Sequence, residues 1–220
     1  MRTIVKQIVK HFALSEIQAW DRFYKANFVN SLSGFKPASL IGTSNDQGVH
    51  NLAIFSNIFH LGADPALIGF VNRPREAAPH TLANIEATGQ YTLNHVHADF
   101  ADKAHQTSAK YPKGISEFDA VGLTPMLHEN FSAPFVLESK IRFGLELDEI
   151  ISLKQNGTFL VVGKLTHVFI EEQLLSADGF IDASKAEGIV SLGLDAYYTT
   201  VFHSRYAYAK ADQPIRQIPI

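Results

Sequence analysis

The chain reads as a mainly β domain with a few helices, its long antiparallel strands closing fully or partly into a barrel. Three stretches support that class. Residues 36–60, KPASLIGTSNDQGVHNLAIFSNIFH, form two apolar strands around a polar loop. Asn156-Gly157 sits between two long alternating segments and is the clearest hairpin signal in the chain. Between these hairpins lies a helix-containing excursion, opened by His80-Thr81 and stopped by Gly89.

Each element follows from local chemistry. Ser15 with Gln18 forms a capping-box pattern, and Ile17, Trp20 and Tyr24 share one helical face. This predicts a helix from Ser15 to about Asn27, packing over a barrel end or a partner subunit. Asn30-Ser31-Leu32-Ser33-Gly34 ends that extension. Ala38 to Thr43 is a small, apolar strand, and Asn45-Asp46-Gln47-Gly48 is a turn with Gly where positive φ is needed. Val49 to Phe59 alternates as a single strand. Asn51, Ala53, Phe55 and Asn57 then share one face, and His50, Leu52, Ile54, Ser56 and Ile58 the other. Two amides among small and aromatic groups are unusual for a simple core strand; an edge strand with a solvated face is the plainer reading.

Gly62-Ala63-Asp64-Pro65 turns the chain into a continuous apolar strand, Ala66 to Val71. Arg73 and Arg75 follow, just before a helix whose N-cap is expected at Thr81 and whose last residue is Thr88. Free N–H groups at a helix start, beside guanidinium groups, suit an anion such as phosphate, although a solvated loop explains the same residues. Tyr91 to Val96 is a strand leading into His95-Val96-His97. Two imidazoles on one face can begin a metal site, but no third ligand stands at a motif-like spacing, so no metal is expected. Ala98 to Lys110 reads as a polar amphipathic helix, and Phe118 to Pro125 as a loop with apolar anchors. One long strand ends near Leu153, Thr158 to Ile170 forms the next, and Asp178-Gly179 turns the chain again. The segment from Gly188 to Ala209 holds Tyr197, Tyr198, His203, Arg205, Tyr206 and Tyr208. With no linker or repeat, residues 31–210 read as one domain, flanked by a helical extension (1–30) and a tail (211–220).

Composition narrows the function. With 220 residues, 46% hydrophobic, the chain has ample material for a core. A net charge of -3 argues against a nucleic-acid partner. No apolar run reaches the ~18 residues of a membrane span. Lysines interrupt the apolar residues of MRTIVKQIVKHFALSE, so no cleavable leader is expected. The absence of cysteine removes thiolate nucleophiles and disulfides together and fits the cytoplasm.

Six segments, in order, are KPASLIGTSNDQGVHNLAIFSN, DPALIGF, NRPREAAPHTLANIEATGQYTLN, SEFDAVGLTP, VVGKLTHVFI and SLGLDAY. Together the chain resembles the flavin reductase-like, FMN-binding split-barrel family over roughly residues 30 to 200. The resemblance implies a Greek-key split β-barrel, a homodimer, and FMN held near the subunit interface. It places Thr43 and Ser44 near the flavin, and Asn51, Ala53, Ser56 and Asn57 along the ring and ribityl chain. It places Arg73 and Thr81 near the phosphate and Tyr197 close to the site. Ser56 has the wrong parity to share a face with Asn51 and Asn57, which requires a bulge or a backbone contact. Ile54 stands where many relatives have Pro. His203, in FHSRY, departs from the C-terminal histidine motif that faces the nicotinamide in some reductases, and is the one candidate nicotinamide contact.

The implied activity is hydride transfer from NAD(P)H to flavin N5, with no side chain as nucleophile and reduced flavin serving a second acceptor, which can be a protein. Two other readings stay open from sequence: an FMN-carrying electron-transfer protein of the flavoredoxin type without its own NAD(P)H site, and a non-redox or haem-binding barrel.

Overall fold

The structure is a computed structural model that describes residues 9–112 and 114–219. The expectation about a leader at residues 1–8 therefore lies outside the described residues.

Two short helices precede the sheet, α1 (Leu14–Ala19) and α2 (Arg22–Leu32), where a single helix was expected. Asp21 divides them. Its carboxylate accepts the N–H groups of Phe23 at 2.8 Å and Tyr24 at 3.2 Å, an N-cap arrangement that needs non-helical backbone at Asp21. Ser15 is not the cap of α1: Ala13 takes that position, and Glu16 accepts the Ala13 N–H at 3.1 Å. Trp20 nevertheless gathers Phe12, Tyr24 and Phe28 edge-on, with ring centroids 5.0, 5.0 and 4.9 Å away.

The chain then runs β1 (Lys36–Pro37), β2 (Ser39–Ser44), β3 (His50–Phe55), β4 (Ile58–Ala63), β5 (Ala66–Asn72), α3 (Pro79–Thr88) and β6 (Gln90–His95). A 3₁₀ turn, Ala98–Phe100, leads into α4 (Ala101–Gln106), followed by α5 (Glu117–Val121). The expected helix over 98–110 is thus shorter, and the expected loop at 118–125 begins as a helix that Gly122 ends in the left-handed region, φ 66°. The remaining strands are β7 (Pro125–His128), β8 (Phe131–Val136), β9 (Ile141–Leu153), β10 (Thr158–Ile170), β11 (Ile189–Leu192), β12 (Ala196–Thr199), β13 (Arg205–Tyr206) and β14 (Gln217–Ile218).

Seven strands form one antiparallel sheet in the order β3-β2-β6-β9-β10-β5-β4. The strand expected over 49–59 is two strands, and they lie at opposite edges of this sheet. Laid flat, seven strands would put those edges ~29 Å apart. The link through Ser56 and Asn57 can span only ~11 Å. The sheet must therefore roll up, and it does so without pairing β3 to β4: a barrel split along one seam. The parity difficulty at Ser56 disappears, because Ser56 and Asn57 belong to the crossover and not to either strand. The Asn57 carbonyl accepts the Val71 N–H at 3.0 Å, which anchors the crossover to β5.

Residues opposed across strands share a face, so Ile41, Leu93, Leu145, Val161 and Phe70 point into the barrel with Tyr91. Leu82 and Ile85 of α3 complete that core, so α3 plugs one barrel end. A side chain of this size, fully buried, contributes ~1.5–3 kcal/mol. Outside, the β7–β8 hairpin lies against β2, β6 and β9. Gly42 has no room for a Cβ because the Pro134 carbonyl and Thr92 hydroxyl occupy its place, and Gly144 similarly faces Phe131 and Phe135. A second core, on the outer face, joins Leu40 and Leu52 to Phe100, Phe118 and Val136. Among the described residues no helix is long and apolar enough to cross a membrane.

Candidate functional site

Four side chains meet where α3 closes the barrel. Thr43 and Asn51 are directly opposed across β2 and β3. Asn84 donates from Nδ2 to Thr43 Oγ1 at 3.0 Å, and Asn51 donates from Nδ2 to Thr81 Oγ1 at 3.3 Å. All four are buried. Thr81 and Asn84 are one turn apart on α3, so both reach the strands below. Ala53, two residues from Asn51 on the same inner face, adds only a methyl group beside them.

The start of α3 differs from expectation in a useful way. The helix begins at Pro79, which suits the first helical position because its ring fixes φ and it has no N–H to leave unpaired. Ala78 is the N-cap and provides no side-chain hydrogen bond. Thr81 therefore lies inside the first turn with its hydroxyl turned to Asn51, and the N–H groups of His80 and Thr81 have no side-chain cap. The two arginines of the preceding loop separate sharply. Arg75 makes a bidentate pair with Glu86, at 2.7 and 2.5 Å, and stacks 4.9 Å over the Phe159 ring. Arg73 is exposed and makes no ion pair among the described residues.

A residue the sequence reading missed stands at the open edge of β3. Glu117, buried at the start of α5, accepts the Leu52 N–H at 2.9 Å through Oε2. Burial pushes its carboxyl above the usual carboxylate range, against the pull of the Leu52 N–H and the His80 side chain. Asn84 was also missed, although its place one turn after Thr81 was visible in the sequence.

The other candidates lie elsewhere. Ser44 points to the outer face, where its hydroxyl donates to the Ser132 carbonyl at 2.7 Å. Ser56 is half-buried and Asn57 exposed, both in the crossover. Tyr197, on β12, packs against the outer-face core, with its hydroxyl 2.8 Å from His105 Nδ1. His203 is exposed between β12 and β13. His97 accepts the Lys140 N–H through Nε2 at 2.9 Å, which leaves that nitrogen no lone pair for a cation. Among the described residues no group of three or more potential ligands could hold a metal ion.

The sequence profile of the flavin reductase-like domain matches residues 34–186. The chain belongs to the flavin reductase-like family. Its split barrel is also that of solved relatives. A protein of Shewanella frigidimarina, assigned as a flavin reductase with split barrel domain, is 45% identical. That likeness covers 91% of this chain and all of the other, with a TM-score of 0.88. Nitrilotriacetate monooxygenase component B from Bacillus cereus shares the fold at 20% identity, covering 90% of this chain and 99% of that one, TM-score 0.80. Flavoredoxin of Desulfovibrio vulgaris does so at 23% identity over 81% and 92% of the two chains, TM-score 0.68. In this flavin reductase-like protein the region of family likeness includes every element of the Thr43–Asn51–Thr81–Asn84 cluster, together with Arg73 and Glu117.

Proposed function

We propose that this protein is an FMN-binding NAD(P)H:flavin oxidoreductase that works as a homodimer. The observation that supports this most is Arg73, without an ion pair among the described residues, in the loop that leads to the uncapped first turn of α3, in a chain of the flavin reductase-like family. A guanidinium, two free N–H groups and the positive end of a helix dipole together fit a phosphate dianion. The cluster of hydroxyl and amide groups at Thr43, Asn51, Thr81 and Asn84 fits the polar body of the same cofactor.

When bound, FMN supplies the redox chemistry: a hydride and its electron pair pass from the nicotinamide C4 of NAD(P)H to flavin N5, leaving oxidised nicotinamide and reduced flavin. The residues of this chain bind and orient. Arg73 and the backbone of His80 and Thr81 hold the phosphate. Asn51, fixed by Thr81, presents an amide to the flavin's polar edge, where a placed donor stabilises the charge that reduction adds. Thr43 and Asn84 keep that wall from relaxing. The electrons would then pass to a second acceptor, and a partner protein in that role fits the name of the monooxygenase component B relative.

Anaerobic titration of the FMN-loaded protein with NADH and NADPH tests the reading. Bleaching of the flavin absorbance faster than free FMN supports it. Binding of FMN without faster bleaching overturns the reductase and leaves an electron carrier of the flavoredoxin kind. For the phosphate assignment, Arg73→Ala should weaken FMN at least tenfold while changing riboflavin affinity little. Equal loss for both ligands would make Arg73 a structural residue.

A further inference from the structure

β3 is an edge strand, yet it holds two residues of the proposed cofactor wall. Its pairing with β2 directs the backbone of Asn51 and Ala53 toward Thr43 and Ile41, so the Leu52 N–H between them points out of the sheet. An unpaired edge of this kind frays or pairs with another chain unless something covers it. Here one buried side chain does so: Glu117 Oε2 accepts the Leu52 N–H at 2.9 Å, from a short helix that packs Phe118 into the same core as Leu52. Glu117 therefore holds β3, one of the two elements that meet at the cofactor wall, while touching none of the wall's four side chains in the hydrogen-bond pattern.

We propose that Glu117 is a positioning residue of the flavin site: by accepting the Leu52 N–H it fixes the free edge of β3 and keeps Asn51 and Ala53 in place. This rests on the flavin-binding reading above. The feature that matters is a hydrogen-bond acceptor at the correct reach. The negative charge is dispensable, and that separates the proposal from an electrostatic role.

Two substitutions distinguish reach from charge. Glu117→Gln keeps an acceptor oxygen at the same distance and removes the charge. Glu117→Asp keeps the charge and falls one methylene short of Leu52. FMN and riboflavin dissociation constants would be measured by flavin fluorescence quenching, with thermal melts confirming that each variant is folded. Glu117→Gln should stay within about twofold of the wild type. Glu117→Asp should weaken both flavins by about tenfold or more, and equally, since the phosphate end is untouched. The reverse order, with the Asp variant tight and the Gln variant weak, overturns the proposal, as does unchanged affinity in a folded Glu117→Asp protein. Wild-type protein that binds neither flavin would instead overturn the proposed function, so the two failures are distinguishable.

Discussion

At the scale of single residues, the site depends on buried polar groups that satisfy each other. Thr43 is fully buried and Asn84 nearly so, and among the described residues the 3.0 Å bond between them is the one side-chain hydrogen bond either makes. Asn84→Ala would leave the Thr43 hydroxyl buried without its donor, at a cost of ~1–3 kcal/mol, which urea denaturation should show as a lowered midpoint at unchanged slope. Gly42 makes the complementary point. A methyl group there meets the backbone carbonyl of Pro134, which cannot rotate aside as a side-chain tip would. Gly42→Ala should therefore destabilise by ~1–3 kcal/mol or more in the same assay, although its strand backbone tolerates alanine. In the sequence, Asn51 stands out as an amide in an apolar strand and Thr81 as a hydroxyl at a helix start, whereas Thr43 entered only through the family resemblance. Asn84 was overlooked because an asparagine inside a helix looks solvent-facing until the strand beneath is known. Glu117 was invisible for a deeper reason: the N–H it accepts belongs to the backbone, which sequence patterns do not mark.

At the scale of elements, local signals worked where a turn residue dictates geometry and failed where tertiary contacts decide. Gly48, Gly89, Gly157 and Gly179 all adopt the positive φ that their turns or caps require, at 77°, 70°, 71° and 84°. The alternation of Val49 to Phe59 gave no warning of a break, because both halves are genuine strands and only their placement at opposite edges separates them. The end of β6 shows what such contacts do. The His97 imidazole receives the Lys140 N–H, and its backbone bridges to Gly188, so one residue joins the end of β6, the start of β9 and the segment before β11. Burial holds His97 below its ordinary value; burial, with His97 nearby, pushes His95 down to about 4. Both are neutral in the fold, and the unfolded chain takes up their protons first as pH drops below ~6.5. Their contribution is thus complete above that pH and declines toward pH 4, a loss on the order of 1–3 kcal/mol. Urea midpoints at pH 7.5 and 5 should show it. In His97→Gln, whose amide oxygen can take the Lys140 N–H without titrating, the fall should be smaller.

At the scale of the whole molecule, the split barrel explains both what is closed and what is left open. Rolling the sheet buries one apolar face on itself, with α3 as the plug, and the β7–β8 hairpin and α5 cover much of the other. Among the described residues, nothing buries the N-terminal helices. Neither α1 nor α2 has a buried residue, and Phe23, Leu32 and Phe35 remain 74%, 67% and 60% exposed. Phe35 stacks on Tyr198, which joins this surface to β12 and to the exposed Val201 and Phe202 beyond it. Exposed large apolar side chains in this number are costly in water and mark an association site. The homodimer in the proposed function predicts that a second copy covers it. Light scattering should then give the mass of two chains for the wild type. Phe23→Asp/Leu32→Asp, which places charge at two exposed apolar positions of α2 without touching the barrel, should give the mass of one chain and an unchanged barrel melting transition. A dimer that survives both charges would place the subunit contact on another face, and α1 and α2 would then need a different partner.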